Sequence, residues 1–190
     1  MSKKSKPYHE FKLKSGEQAT LRVIEQKDLQ RLVTFYNDLV AEKREDPGTA
    51  LHAGFNEELD LDEESEWLAS IFGAAEKGEM VCLVTEVSGK IVANGGITRG
   101  KYMDTRHHGS LGLTVIRAYR GMGIGSKMIK ELLTECRNIG IENVEVEFLS
   151  TNASAQAAYE KAGFQKSGTI PKMVSRNGKY MDVTIMSREI

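Results

Sequence analysis

The stretch Arg120-Gly121-Met122-Gly123-Ile124-Gly125-Ser126 constrains this 190-residue chain more than any other. Ser110 to Ile116 reads as a strand, and an apolar-periodic helix follows the glycines, so a flexible turn opens directly into helix. The first N–H groups of a helix lack intrahelical acceptors, and the aligned peptide dipoles add roughly half a positive charge there. Gly121, Gly123 and Gly125 carry no Cβ, which lets anionic oxygens approach the main chain. A diphosphate is the ligand such a cradle suits. The same glycines would also make a tight strand-to-helix turn with no ligand, so the surroundings must decide.

Two familiar phosphate motifs do not fit. A P-loop ends in Gly-Lys-Ser/Thr, whereas this chain reads Gly125-Ser126-Lys127, with hydroxyl and amine in the wrong order. A dinucleotide fingerprint needs Gly-x-Gly-x-x-Gly after the first strand of the fold. Here the spacing is Gly-x-Gly-x-Gly, in the second half of the chain.

The turn does satisfy Arg/Gln-x-x-Gly-x-Gly/Ala through Arg120, Gly123 and Gly125, and here the chain resembles the GNAT superfamily of acyl-CoA-dependent N-acyltransferases. Downstream, Asn152-Ala153-Ser154-Ala155-Gln156-Ala157-Ala158-Tyr159-Glu160-Lys161-Ala162-Gly163-Phe164 is similar to that family's Asn-x-x-Ala-x-x-x-Tyr-x-x-x-Gly-Phe element. The resemblance runs from about Ala19 to the C-terminus, by motif in the second half and by pattern in the first.

Composition sets the class. At 40% hydrophobic residues the chain can bury a substantial core as one domain. We take residues 1–18 as an N-terminal extension and 19–190 as a single N-acetyltransferase domain. A formal net charge of −1 gives no global field for nucleic acid. Lys3, Lys4 and Lys6 read as a short solvated end. Cys82 and Cys136 lie in apolar segments without metal-ligand spacing, which suggests reduced thiols, a cytoplasmic setting and no metal. No apolar run approaches about 18 residues, so no membrane partner is expected.

Periodicity orders the elements. Ala19 to Glu25 alternates as a strand, and Leu29, Leu32, Val33, Tyr36, Leu39 and Val40 share a helical face. Arg44 to Leu61, with Asp46-Pro47-Gly48-Thr49 and Phe55, reads as a loop. A helix follows from about Glu63 to Lys77. Met80 to Val87 and Ile91 to Thr98 form a hairpin, and His107 to Ile116 is the strand before the turn. The helix after it ends at Gly140, Val144 to Leu149 is a strand, and Asn152 caps a short helix. Asn177-Gly178 joins two final strands. The pattern and the resemblance together imply an α/β fold of the α+β mixed-sheet kind, with a central mixed β-sheet and helices on both faces.

The resemblance also implies the site. Acetyl-CoA would lie between two splayed parallel strands, those ending at Ile116 and beginning at Val144. Leu113, Thr114 and Val115 would offer main-chain groups to the acyl and pantetheine amides, and Arg120, Gly121, Met122, Gly123, Ile124, Gly125 and Ser126 would hold the diphosphate. Asn152 would bind the cofactor as well as cap its helix. Tyr159 would be the general acid for the departing thiolate; spacing alone also allows it to be a packing aromatic beside Ala155, Ala158 and Ala162. Some relatives carry a glutamate base on the strand before the turn, where this chain has Ser110. Glu86, Asp104, His107, His108, Glu147 and Asp182 are the remaining candidates, and a water chain is an alternative.

The expected activity is transfer of an acetyl group from acetyl-CoA to a primary amine by direct attack, the acceptor being a small amine, amino acid or polyamine. A protein N-terminal or lysine acetyltransferase and a noncatalytic acyl-CoA-binding regulatory module remain open. Relatives often form dimers, so a homodimer is the implied assembly.

Overall fold

A computed structural model describes residues 9–51 and 57–190. Lys3, Lys4, Lys6 and Phe55 lie outside those residues. Eight strands form one sheet: β1 His9–Lys12, β2 Gln18–Val23, β3 Met80–Val87, β4 Lys90–Arg99, β5 His108–Val115, β6 Asn143–Leu149, β7 Gln165–Arg176 and β8 Lys179–Glu189. Their spatial order is β1-β2-β3-β4-β5-β6-β8-β7, antiparallel throughout except for the parallel pair β5–β6. Among the described residues four α-helices complete the fold: α1 Leu29–Glu45, α2 Leu61–Glu76, α3 Ile124–Asn138 and α4 Ala153–Lys161.

The sheet begins inside the segment read from sequence as an extension. His9 pairs with Leu21 and Lys12 with Gln18, so β1 is an edge strand of the domain sheet. Four residues are too few to show an alternating pattern. Leu13, 4% exposed, anchors the turn that follows.

Local chemistry explains the other boundaries. The Asp60 carboxylate accepts from the N–H groups of Asp62 and Glu63, both at 2.9 Å, while Glu63 accepts from Asp60 N–H at 3.2 Å. This reciprocal cap starts α2 two residues before the expected Glu63. Gly78, at φ +66°, ends it. Asn177 and Gly178 both take positive φ, 50° and 76°, as a two-residue hairpin joining right-twisted strands requires.

Alternation along β4 places helices on both faces of the sheet. Asn94 faces α1, where it accepts from the Tyr36 hydroxyl at 3.1 Å. Its neighbour Gly95 faces α3: a Cβ there would lie 3.3 Å from the Met128 methyl. Phe35, Leu32 and Leu68 fill one side, and Met128, Ile129 and Leu132 the other, all fully buried. Cys82 and Cys136 are free thiols in this interior, and burial pushes them up to about 11 and about 12, so they stay protonated. Among the described residues no helix is long and apolar enough to cross a membrane.

Candidate active site

The parallel strands separate where the glycine turn begins to act. β5 and β6 pair only from His108 with Asn143 to Leu111 with Val146. Beyond that point β5 stays with β4 as far as Val115, and β6 stays with β8 as far as Leu149. The gap between them is a cleft of about 930 Å³, toward the upper end of ligand-site volumes.

Strand alternation decides which main-chain groups face this gap. Ile116 N–H donates to the Val92 carbonyl on β4 at 3.0 Å, so Leu113 and Val115 direct their groups the other way, into the opening. The Val115 carbonyl accepts from Arg120 Nε at 2.9 Å, which leaves the N–H groups of Leu113 and Val115 and the Leu113 carbonyl for a ligand. Thr114 differs from the expectation. It pairs with Asn94, so its main chain serves β4, although the residue lines the cleft.

The turn is shaped for an anion. Gly121 and Gly123 have φ of +74° and +94°, and a Cβ at either would meet nothing within 4 Å among the described residues. Backbone conformation therefore favours glycine there, and the space above the main chain is open. Gly123 is the N-cap of α3 and brings no side-chain cap, so the first N–H groups of that helix remain available. Ile124 is buried and lines the cleft, whereas Met122, expected there too, packs against the core and lies outside the cleft lining, where its side chain anchors the turn. Ser126 is exposed and lines the cleft.

The Arg120 side chain, expected at the diphosphate, is engaged by a carboxylate. Its two terminal nitrogens donate to the two carboxylate oxygens of Glu42, both at 2.7 Å. Glu42 is 5% exposed and also accepts from the Thr49 hydroxyl at 2.7 Å. Burial alone would raise the Glu42 pKa; the bonds from Arg120 and Thr49 and the charges of Arg120 and Arg117 hold it below the usual carboxylate range. With its planar fork matched to this carboxylate, Arg120 braces the turn while still lining the cleft.

Asn152 is likewise committed. Its oxygen accepts from Ala155 N–H at 3.0 Å and from the Ser154 hydroxyl at 2.8 Å, and its amide donates to the Ala50 carbonyl at 3.2 Å. It lines the cleft, but its polar atoms cap α4 and tie that helix to the chain after α1. Tyr159, 6% exposed, lines the same cleft, its ring held between Phe148 and Phe164 with centroids at 5.6 and 5.5 Å. Burial pushes its phenol up to about 12.

The six candidate bases do not converge. Glu86 binds Arg22 and Arg31 at 2.8 and 2.9 Å, and the Arg22 bond and neighbouring charges hold its pKa down against a smaller effect of burial. His108 lies 3.6 Å from Glu145, and Asp182 accepts from Lys172 N–H at 2.8 Å. Asp104 and His107 are exposed and, like the other three, lie outside the cleft lining. Glu147 alone of the six lines the cleft, together with Ser110. Tyr36 and Asn94, which sequence reasoning missed as site residues, line it too. Asn94 is a polar interruption in the apolar run of β4, and that was its available signal.

Gly125 separates ligand approach from backbone strain. It lacks the positive φ of its neighbours, and a Cβ there would lie 3.6 Å from a Leu113 methyl, an ordinary contact. Gly125→Val is therefore expected to fold and to weaken CoA binding by at least about tenfold, or ~1.4 kcal/mol, by covering the donors. Calorimetry giving parental CoA affinity for the folded variant would count against the cradle.

Residues 34–164 match the Acetyltransferase (GNAT) family. The chain is 25% identical over 166 residues to the L-methionine sulfoximine/L-methionine sulfone acetyltransferase of Pseudomonas aeruginosa, covering 84% of this chain and 87% of that protein. It is 29% identical over 107 residues to the L-amino acid N-acetyltransferase AaaT of Escherichia coli, covering 56% of this chain and 66% of that one. Among solved structures it resembles a GNAT superfamily phosphinothricin acetyltransferase from Sinorhizobium meliloti in complex with AcCoA. The TM-score is 0.76 at 20% identity, over 90% of this chain and 88% of that chain.

Proposed function

The chain belongs to the acetyltransferase (GNAT) family, and from that premise we propose that its acceptor is the amino group of a free amino acid or a close analogue. Acetyl-CoA is the donor, and the reaction is N-acetyl transfer to an amine. The amino-acid acceptor is supported by the relatives that are named for L-amino acids and for methionine sulfoximine. The observation that carries the mechanism is the opening between β5 and β6, where an unpaired strand edge, Glu147 and Tyr159 line one cleft.

Acetyl-CoA supplies an activated thioester. The Leu113 and Val115 N–H groups stand ready to donate to its carbonyl oxygen as negative charge gathers there. An alkylammonium, with a pKa near ~10.4, must shed a proton before it attacks. Glu147 accepts that proton, directly or through water, and the Tyr159 phenol donates to the sulfur as it departs.

Free-thiol release should be measured with acetyl-CoA against L-amino acids, alkylamines, polyamines and peptides with free N-termini. Free amino acids are expected to turn over fastest, and Glu147→Gln to lower kcat by about 10², the low end of general-base effects. Preference for peptides would redirect the reading to protein N-termini. CoA binding without turnover on any amine would leave a noncatalytic module.

A further inference from the structure

Arg120 is fastened to Glu42, so the glycine turn offers main-chain donors while the guanidinium of its motif is already paired with a carboxylate. Another cation lines the same cleft from a distant part of the chain. Lys14 lines the cleft from the turn between β1 and β2, outside the residues that match the family.

Two contacts fix how β1 lies against α3. His9 Nε2 is 2.7 Å from Glu131, and the Lys127 ammonium sits 5.8 Å from the centre of the Phe11 ring. Two residues of strand span roughly 6.6 Å and four of helix roughly 6 Å, so β1 runs alongside α3 toward the helix N-terminus. Continuing from Phe11 to Lys14 carries the chain to the level of Gly123–Ser126. The turn that bears Lys14 is defined: Leu13 N–H donates to the Glu17 carbonyl and Gly16 N–H to the Leu13 carbonyl, both at 2.9 Å. Glu17, the nearest acidic residue in sequence, accepts from the Ser15 hydroxyl at 2.8 Å. Lys14 has no ion pair among the described residues and is exposed. Lys127 is held over Phe11, and Lys161 stands on α4 across the cleft.

We propose that Lys14 is a cofactor-positioning residue, its ammonium pairing with a phosphate of bound CoA at the start of α3. This rests on the glycine turn being the CoA site. An ammonium on a flexible stem serves such a site as a point charge, without needing the planar match that Arg120 gives to Glu42. The phosphate is either the diphosphate or the 3′-phosphate, and dephospho-CoA, which lacks the latter, separates the two.

The experiment is calorimetry of CoA and dephospho-CoA binding to the full chain, to Lys14→Gln and to Lys14→Arg. Lys14→Gln is expected to weaken CoA about five- to tenfold, with a shallower salt dependence, and Lys14→Arg to restore most of the loss. An equal loss for dephospho-CoA assigns the diphosphate; a loss confined to CoA assigns the 3′-phosphate. Lys14→Gln binding CoA as the parent does, when Gly125→Val does not, overturns the role of Lys14 and leaves the cradle standing. No loss in either variant overturns both. Lys14 is exposed in a turn, so equal melting temperatures are expected and confirm that the comparison concerns binding.

Discussion

Replacing Tyr159 with phenylalanine is expected to lower kcat by about 10² or more while leaving CoA affinity and melting temperature nearly unchanged. The ring contacts with Phe148 and Phe164 survive the substitution, and only the hydroxyl is lost. Burial pushes the phenol up to about 12, so it keeps its proton throughout the working range. An alkyl thiol has a reference pKa near ~8.5, so the departing sulfur gathers negative charge and gains from a neutral donor beside it. That benefit belongs to the transition state, which is why kcat should move and ground-state binding should not. Steady-state kinetics in acetyl-CoA, with a thermal melt as control, checks it. Full kcat in the folded variant would make Tyr159 a packing residue.

The second large effect lies in the interior. Glu64, in the first turns of α2, is 0% exposed, and among the described residues neither carboxylate oxygen has a hydrogen-bond partner. Burial pushes its pKa up to about 7. The Tyr36 hydroxyl and Cys82 thiol share this region; burial raises both, and the Glu64 charge raises them further. A carboxyl that keeps its proton longer in the folded chain than in the unfolded one destabilises the fold as pH rises from about 4.5 to about 7. Glu64→Gln removes that dependence. At pH 8 the variant is expected to be more stable than the parent by up to about 3 kcal/mol, at ~1.36 kcal/mol per pKa unit, and the advantage should vanish near pH 4.5. Urea unfolding at both pH values is the test, and an equal difference at the two would refute the assignment.

The glycine turn and the Asn152–Phe164 element were legible in sequence because each is local. Its residues meet within a few turns of chain, and the backbone they require is written in their own types. The bracing of Arg120 was not legible. Its partner Glu42 stands 78 positions away on α1, in a helix whose apolar face alone was readable. The base illustrates the same limit. Glu86 and Glu147 look alike as acidic residues in strands, but sheet order places Glu86 beside Arg22 and Arg31 and Glu147 at the opening. Strand neighbours and register make that distinction, and both are long-range properties. β1 escaped because a four-residue strand depends on its pairing with β2 more than on any pattern of its own.

The brief parallel seam between β5 and β6 divides the sheet into a block of five strands and a block of three. Four residue pairs join the two blocks. Such a molecule has a short seam of strand pairing that runs into its own candidate cleft. Local opening along that seam leaves both blocks intact, so breathing and ligand admission become one motion. An acyl donor bound in this cleft would then work as a missing rung between the blocks. Substitutions that tighten the seam would gain rigidity at the expense of the unpaired strand edge on which recognition depends.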